Sequence, residues 1–357
     1  MLSAFKTIRF GMITFFCGLM LFYNFVNAQE SATKELLGAG ASFPYPLYSK
    51  WFDVYAKEFG IKVNYQSIGS GGGIRQLMNK TVDFGASDAY LNEEEKKSFD
   101  SEVLHIPTAL GAVVVIYNLE ISEQLRLTPE VLADIFLGKI KNWQDKKIKE
   151  INPGIEFPNK PIIVIHRSDG SGTTFIFTDY LTKVSQEWKE KVGVDKSVSW
   201  LIGVGGKGNE GVAGSVKQLQ GSIGYVELIY AEKNQVKYAS IKNKLGNFVA
   251  PTIKNISEAA NIELPDDLRV SITDTSAPEG YPISGFTWLL VFKEQSYSAK
   301  TFEKGKAIKE LIRWCITDAQ QYNEPLLYAP IPKSAKEKAM KLVESISYKE
   351  EPIKISQ

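Results

Sequence analysis

Cysteine and histidine are scarce in this sequence: its 357 residues contain two of each. Cys17 lies in an apolar N-terminal run that reads as a removable leader, which leaves Cys315 alone and rules out an internal disulfide in the rest of the chain. Cys315 falls on the helical stripe Ile308, Leu311, Ile312, Cys315, where a buried structural thiol is expected. His105 and His166 are far apart and neither stands in metal-ligand spacing, so both are read as structural. An excess of one charge is missing too, with 42 Lys and Arg against 41 Asp and Glu. Nothing in that balance attracts nucleic acid or an anionic lipid surface. Internal repeats and low-complexity tracts are also lacking.

The N-terminus, by contrast, carries a clear signal. Lys6 and Arg9 precede an apolar run, Phe10 to Val26, that ends in Val26-Asn27-Ala28 before Gln29. This is the pattern of a signal peptide over residues 1–28, cut after Ala28. Gln29 stands where a lipidated export signal would need cysteine, so a soluble periplasmic product is expected. Losing the leader removes two basic residues and no acidic ones, and the net charge moves from +1 to −1. The remaining length exceeds the roughly 250–300 residues at which single cores stop growing, so two lobes are expected. Apolar β-rich runs such as Val113 to Tyr117, Ile162 to Ile165 and Phe286 to Phe292 alternate with segments of helical period. The pattern predicts an α/β fold with largely parallel sheets.

Three joints place small or hydroxyl residues directly before an amphipathic helix. Gly38 to Pro44 leads into Leu47, Trp51, Tyr55 and Phe59; Gly69 to Gly73 leads into Ile74, Leu77 and Met78. Arg167-Ser168-Asp169-Gly170-Ser171-Gly172-Thr173 leads into Ile176, Tyr180 and Val184. A helix start offers backbone N–H groups without intrahelical partners and the positive end of the dipole, which suits an anion. Serine and threonine add hydroxyl donors, and Arg167 adds a planar guanidinium matched to tetrahedral oxyanions. Each joint alone reads equally as an ordinary turn, with Ser42, Ser70 and Ser171 as N-caps. It is the three together that suggest a cleft for a small anion.

Enzyme chemistry finds little support. Ser171 lacks a Gly-x-Ser-x-Gly frame, and no cluster of His and Asp could activate a serine or hold metal ions. A Gly-x-Gly-x-x-Gly match at Gly203, Gly205 and Gly208 has no evident βαβ unit around it and is followed by Asn209-Glu210-Gly211, so a dinucleotide site is not expected there.

These joints, with Val82-Asp-Phe-Gly-Ala-Ser-Asp88, Gly138 to Trp143, Gly203 to Asn209 and Gly221 to Val226, resemble the periplasmic phosphate-binding proteins of bacterial high-affinity phosphate ABC transporters. The likeness runs over most of the mature chain and is loosest from about Lys233 to Glu279 and over the C-terminal third. It implies a two-lobed type II periplasmic binding protein, each lobe a mixed, mainly parallel sheet flanked by helices, closing over its ligand about hinge strands. Lobe 1 would comprise residues 29–108 and 280–357 and lobe 2 residues 109–279, with hinges near Pro107-Thr108 and Pro282-Ile283. The implied phosphate ligands are Ser42, Phe43 and Gly172 through their backbones, Ser70, Asp88, Arg167, Ser171 and Thr173, and Asp169 would hold the Arg167 guanidinium. Ser42 stands where the family often has threonine, which keeps the hydroxyl. The resemblance further implies a monomer whose partners are inorganic phosphate and the permease subunits of an importer, with no nucleic acid, cofactor, metal or catalytic residue. Asp88 would accept the proton that phosphate retains and repel a fully ionised anion such as sulfate. The alternatives are a receptor for another tetrahedral oxyanion and a secreted phosphatase.

Overall fold

The computed structural model describes residues 34–355, so the expected leader and its cleavage site lie outside the described residues. One long twisted sheet forms the spine. Its first half is built on β1 (Glu35–Gly40), which pairs in parallel with β2 (Lys62–Ser67) and β3 (Phe84–Ser87). The strand Ser284–Phe292 then pairs antiparallel with both β3 and β4 (Val103–Tyr117). On the far side of β4 come Ser222–Glu227, antiparallel to it, and then Ile163–Arg167 and Val204–Gly206, parallel to each other and to that strand. The expected runs Val113 to Tyr117 and Phe286 to Phe292 lie within these elements, and Ile162 to Ile165 does so from Ile163.

β4 joins the two halves. Its residues through Ala112 pair with Ser284–Phe292, and from Val113 onward they pair with Ser222–Glu227. From Leu104 to Tyr117 every residue of β4 is buried, as expected of a strand covered on both faces, and its sequence is accordingly apolar rather than alternating. The register slips between Thr287 and Trp288, so that Thr108 has no counterpart across the ladder. Such a bulge bends a strand and re-aims its side chains.

Helices cover both faces and start where strands end. Tyr45–Phe59 follows β1, with Pro44 as its N-cap and Pro46 in its first turn, where a missing N–H costs nothing; it stops at Gly60, which takes φ 69°. The helix buries Leu47, Tyr48, Trp51, Phe52 and Tyr55, so the expected stripe is its core face except at Phe59, which stands exposed at the helix end. Cys315 is buried and unpaired, and burial pushes its thiol well above the usual range. His105 is buried and accepts from the Leu91 N–H (3.0 Å), and burial holds its ring neutral, with a pKa down to about 3. His166 stacks on Trp200 at 4.7 Å. Both histidines are structural. Among the described residues no helix is long and apolar enough to cross a membrane.

The second joint depends on a close approach. A Cβ on Gly73, within the helix Ser70–Met78, would fall 2.5 Å from the carbonyl oxygen of Ala39 and from the Cα of Gly40 on β1. Gly→Ala inside a helix usually gains about 0.5–1 kcal/mol, but overpacking costs about 1–3 kcal/mol, and backbone atoms cannot swing aside. Gly73→Ala is therefore expected to lower the free energy of unfolding by about 1–2 kcal/mol in urea titrations, and an unchanged or raised midpoint would contradict this packing.

Candidate functional site

The three joints meet at the seam where β4 changes partners. Ser42, Ser70, Asp88, Arg167, Ser171 and Thr173 are each at most 3 % exposed, and Phe43 is fully buried. All eight residues singled out in the sequence are thus buried, with Asp169 part-buried beside Arg167.

Arg167 ends the strand Ile163–Arg167. Its Nε and Nη2 donate to the two carboxylate oxygens of Asp169 at 2.7 and 2.6 Å, and its Nη1 donates to Thr173 Oγ1 at 3.2 Å. A bidentate pair of this kind fixes the plane of the guanidinium. Burial raises the Asp169 carboxyl, but the Arg167 guanidinium overrides this and holds it below the usual carboxylate range. The Gly208 N–H adds a third bond to Asp169, at 3.1 Å.

Only one of the three serines is an N-cap. Ser171 accepts from the Thr174 N–H at 3.0 Å and starts the helix Gly172–Val184. Ser42 and Ser70 do something else. Ser70 lies inside its helix, whose N-cap is Gly69, and its Oγ accepts from the N–H groups of Gly172 (3.0 Å) and Asp88 (3.3 Å). Ser42 precedes the Pro44 cap, and its Oγ accepts from Asn209 through both Nδ2 (2.9 Å) and the backbone N–H (3.3 Å). These contacts reach across the seam, as does the bond from Gly71 N–H to Gly170 O (2.9 Å). Gly172 has to be glycine here, because a Cβ would sit 2.6 Å from the Cβ of Asp88.

Asp88 follows β3 and is 1 % exposed. Burial raises its carboxyl from the ordinary range to about 7, although the Thr287 hydroxyl, donating to Oδ1 at 2.7 Å, and the positive charge of Arg167 both pull it down. This differs from a carboxylate that is fully ionised at neutral pH, because desolvation outweighs a hydroxyl and a guanidinium already occupied by Asp169.

Several residues of the cluster were not foreseen. Thr287 is the lone hydroxyl in the run Phe286 to Phe292 and is aimed from the bulged register; that single polar residue in an apolar strand was the available signal. Glu227, Tyr230 and Tyr328 left no signal of their own, and Asn209 stood out only as the end of the family-like stretch Gly203 to Asn209. Tyr230 donates to Ser42 O at 2.6 Å, and Tyr328 donates to Phe43 O at 2.5 Å and to Glu227 Oε2 at 3.3 Å. Glu227 is fully buried, and burial, reinforced by the nearby Asp88 charge, raises its carboxyl well above the usual range despite bonds to Oε2 from Ile229 N–H and Tyr328.

The glycine-rich segment Gly203 to Gly208 corrects one expectation, because it does lie in a strand–helix–strand unit: Val204–Gly206, the helix Gly208–Gln218, then Ser222–Glu227. The first N–H groups of that helix, however, are given to Asp169 and Ser42. They face the seam, so the first two donors a pyrophosphate would need there are already taken.

Chemically, the cluster presents hydroxyls, backbone N–H groups and one guanidinium around the Asp88 carboxyl, with Asp169 committed to Arg167 and Glu227 bonded to Tyr328. Among the described residues none of its serines is bonded to a base: His166 lies against Trp200 and bonds the Arg167 carbonyl, and Asp88 accepts from Thr287 rather than from a serine. That favours holding an anion over cleaving an ester.

Residues 26–319 match the model of a PBP superfamily domain. The phosphate-binding protein PstS of Pasteurella multocida is 45% identical over 89% of this chain and 92% of its own, and that of Haemophilus influenzae is 46% identical over 84% and 89%. Among solved structures, a high-affinity periplasmic phosphate-binding protein (PfluDING) bound with phosphate superposes with a TM-score of 0.70 at 21% identity, over 86% of this chain and 93% of that one. That likeness shows the periplasmic binding protein fold. By its identity and coverage against the PstS sequences, the chain belongs to the family of PstS phosphate-binding proteins.

Proposed function

We propose that this protein binds inorganic phosphate, as hydrogenphosphate or dihydrogenphosphate, between two lobes and delivers it to the permease of an ABC-type importer, without making or breaking a bond. The observation that carries the reading is the composition of the closed cluster: donors on nearly every side and one carboxyl, Asp88, as acceptor. Ser42, Ser70, Ser171 and Thr173 donate hydroxyls to the anion, Phe43 and Gly172 donate backbone N–H groups, and Arg167 supplies charge, held in plane by Asp169. The PstS relatives, named for phosphate binding, support the same reading.

The lobes are residues 29–108 with 280–357, and 109–279. The change of partner along β4 at Ala112 and Val113 supports a pivot close to Pro107-Thr108, where the bulge lies. Export through a leader cut after Ala28, to a soluble monomeric product in the periplasm, completes the reading.

A receptor for another oxyanion would use the same donors. Asp88 separates the two, because phosphate at neutral pH keeps a proton to share with a carboxyl and sulfate has none.

These roles set the cost of two substitutions. Arg167→Ala removes charge-assisted bonds worth about 1.5–3 kcal/mol each and leaves Asp169 facing the anion, so phosphate affinity should fall at least a hundredfold; Ser42→Ala, losing a neutral bond of about 0.5–1.5 kcal/mol, should cost about tenfold. Calorimetry with inorganic phosphate reads both, and small-angle scattering of the wild type should show compaction on adding phosphate; equal radii would sink closure.

A further prediction concerns pH. A carboxyl raised to about 7 is protonated below that value and can then donate to sulfate, and above it repels sulfate. Sulfate affinity should therefore rise as pH falls through about 7, while phosphate, which can supply the shared proton itself, should vary far less. Asp88→Asn should bind sulfate more tightly at pH 8 and lose the pH dependence. If the phosphate-to-sulfate preference of Asp88→Asn matches the wild type at every pH, Asp88 does not discriminate.

A further inference from the structure

Asn209 is fully buried at the start of the helix Gly208–Gln218, and each of its polar groups is used. Its Oδ1 accepts from the Glu227 backbone N–H at 2.9 Å. A backbone N–H can only donate, so the atom facing it must be the amide oxygen, and the amide nitrogen is turned toward the seam. There Nδ2 donates to Ser42 Oγ at 2.9 Å and to Thr173 Oγ1 at 3.1 Å, two hydroxyls from opposite sides of the cluster. The Asn209 backbone N–H reaches Ser42 Oγ as well, at 3.3 Å.

A hydroxyl has two lone pairs and one hydrogen. On Ser42 both lone pairs face donors from Asn209, and on Thr173 one faces Asn209 and the other Arg167 Nη1 at 3.2 Å. Neither oxygen has acceptor capacity left, and each hydroxyl can engage a further partner only by giving its hydrogen. Ser70 is in the same condition through the N–H groups of Gly172 and Asp88.

Resting on the phosphate reading above, we propose that Asn209 is a positioning residue that sets the hydrogen-bond polarity of Ser42 and Thr173, committing both hydroxyls to donate to the anion and tying them into one arrangement on closure. An oxyanion can only be served by donors, apart from the proton it shares with Asp88. A hydroxyl free to turn would spend part of its time presenting a lone pair to the anion, which repels it. With its polarity settled beforehand, the cluster has less to reorder when the anion enters.

Replacing Asn209 by aspartate reverses the polarity. The carboxylate is close to isosteric with the amide and keeps the acceptor for the Glu227 N–H, but its second oxygen would draw the hydrogens of Ser42 and Thr173 toward itself and add a negative charge. Asn209→Ala only releases them.

The test is calorimetric titration with inorganic phosphate of the wild type, Asn209→Ala and Asn209→Asp, each also in a Ser42→Ala/Thr173→Val background, with thermal melts of the phosphate-free proteins as a check on folding. Asn209→Ala should weaken binding about tenfold and Asn209→Asp about a hundredfold or more. In the double-substituted background, where no hydroxyl remains to be oriented, Asn209→Ala should change affinity less than about threefold. A full tenfold loss in that background would assign Asn209 a merely structural role and overturn the proposal, as would an unchanged affinity for Asn209→Ala alone. Asn209→Asp keeps the question open to refutation should the alanine variant not fold: binding within about threefold of the wild type would sink it. A wild type that binds no phosphate would instead refute the phosphate reading itself.

Discussion

Hydroxyl groups are ambiguous when buried, because each can give or take a hydrogen bond, and a site that closes away from water cannot rely on solvent to settle the choice. In this protein the ambiguity is removed by filling lone pairs in advance. Backbone N–H groups occupy Ser70, Asn209 occupies Ser42 and shares Thr173 with Arg167, and the Thr174 N–H takes one pair on Ser171. The donors so prepared are mostly uncharged. That suits a cluster whose one buried guanidinium is already paired with Asp169: strong binding of a small anion can come from many directed bonds, each contributing about 0.5–1.5 kcal/mol, without an excess of positive charge. A chain of nearly balanced charge, 42 basic against 41 acidic residues, is consistent with recognition of this kind.

The fold makes the arrangement possible by running one strand through both halves. β4 carries the ladder from Ser284–Phe292 on one side to Ser222–Glu227 on the other, so residues that are remote in sequence face each other where it changes partners. Ser42 and Asn209, 167 positions apart, bond there, as do Ser70 and Gly172. Close approach needs small residues: Gly172 lies against Asp88, and a Cβ on Gly69 would fall 2.4 Å from Asp169 Oδ2. The glycine-rich joints are thus explained twice, by helix starts that supply N–H groups and by backbones that must nearly touch.

The sequence made the strands and the three joints legible because apolar runs and glycine–serine turns are local signals. It also brought Arg167, Asp169, Ser171 and Thr173 together within one short segment. What it could not yield was the role of each hydroxyl. Ser42 and Ser70 have the composition of N-caps and yet cap nothing, because Asn209 and Gly172 reach them from the opposite half. Asn209 was hidden for the same reason: an asparagine after a glycine-rich turn is locally unremarkable, and its importance lies wholly in Ser42, Thr173 and Glu227, none of them a sequence neighbour. Thr287 was visible only as a polar interruption in an apolar strand, and its aim depends on a bulge that no periodicity announces.

Asp88 and Glu227 carry the remaining physical argument. Both are buried acids whose protons are held far more tightly than in water, and the charge of one disfavours the charge of the other. Their surroundings nevertheless differ. Asp88 has a guanidinium nearby and a hydroxyl on Oδ1, and it stays within reach of ionisation at neutral pH; Glu227 has no cation among the groups that shift it, and its carboxyl lies well above the usual range. One acid is therefore poised to exchange a proton with whatever enters the cluster, while burial disfavours the charged form of the other, which is bonded to Tyr328 from the opposite half and offers its backbone N–H to Asn209. A charge on Glu227 would repel both the Asp88 carboxylate and an anion entering the cluster, so the burial that disfavours that charge also favours the anion's place there.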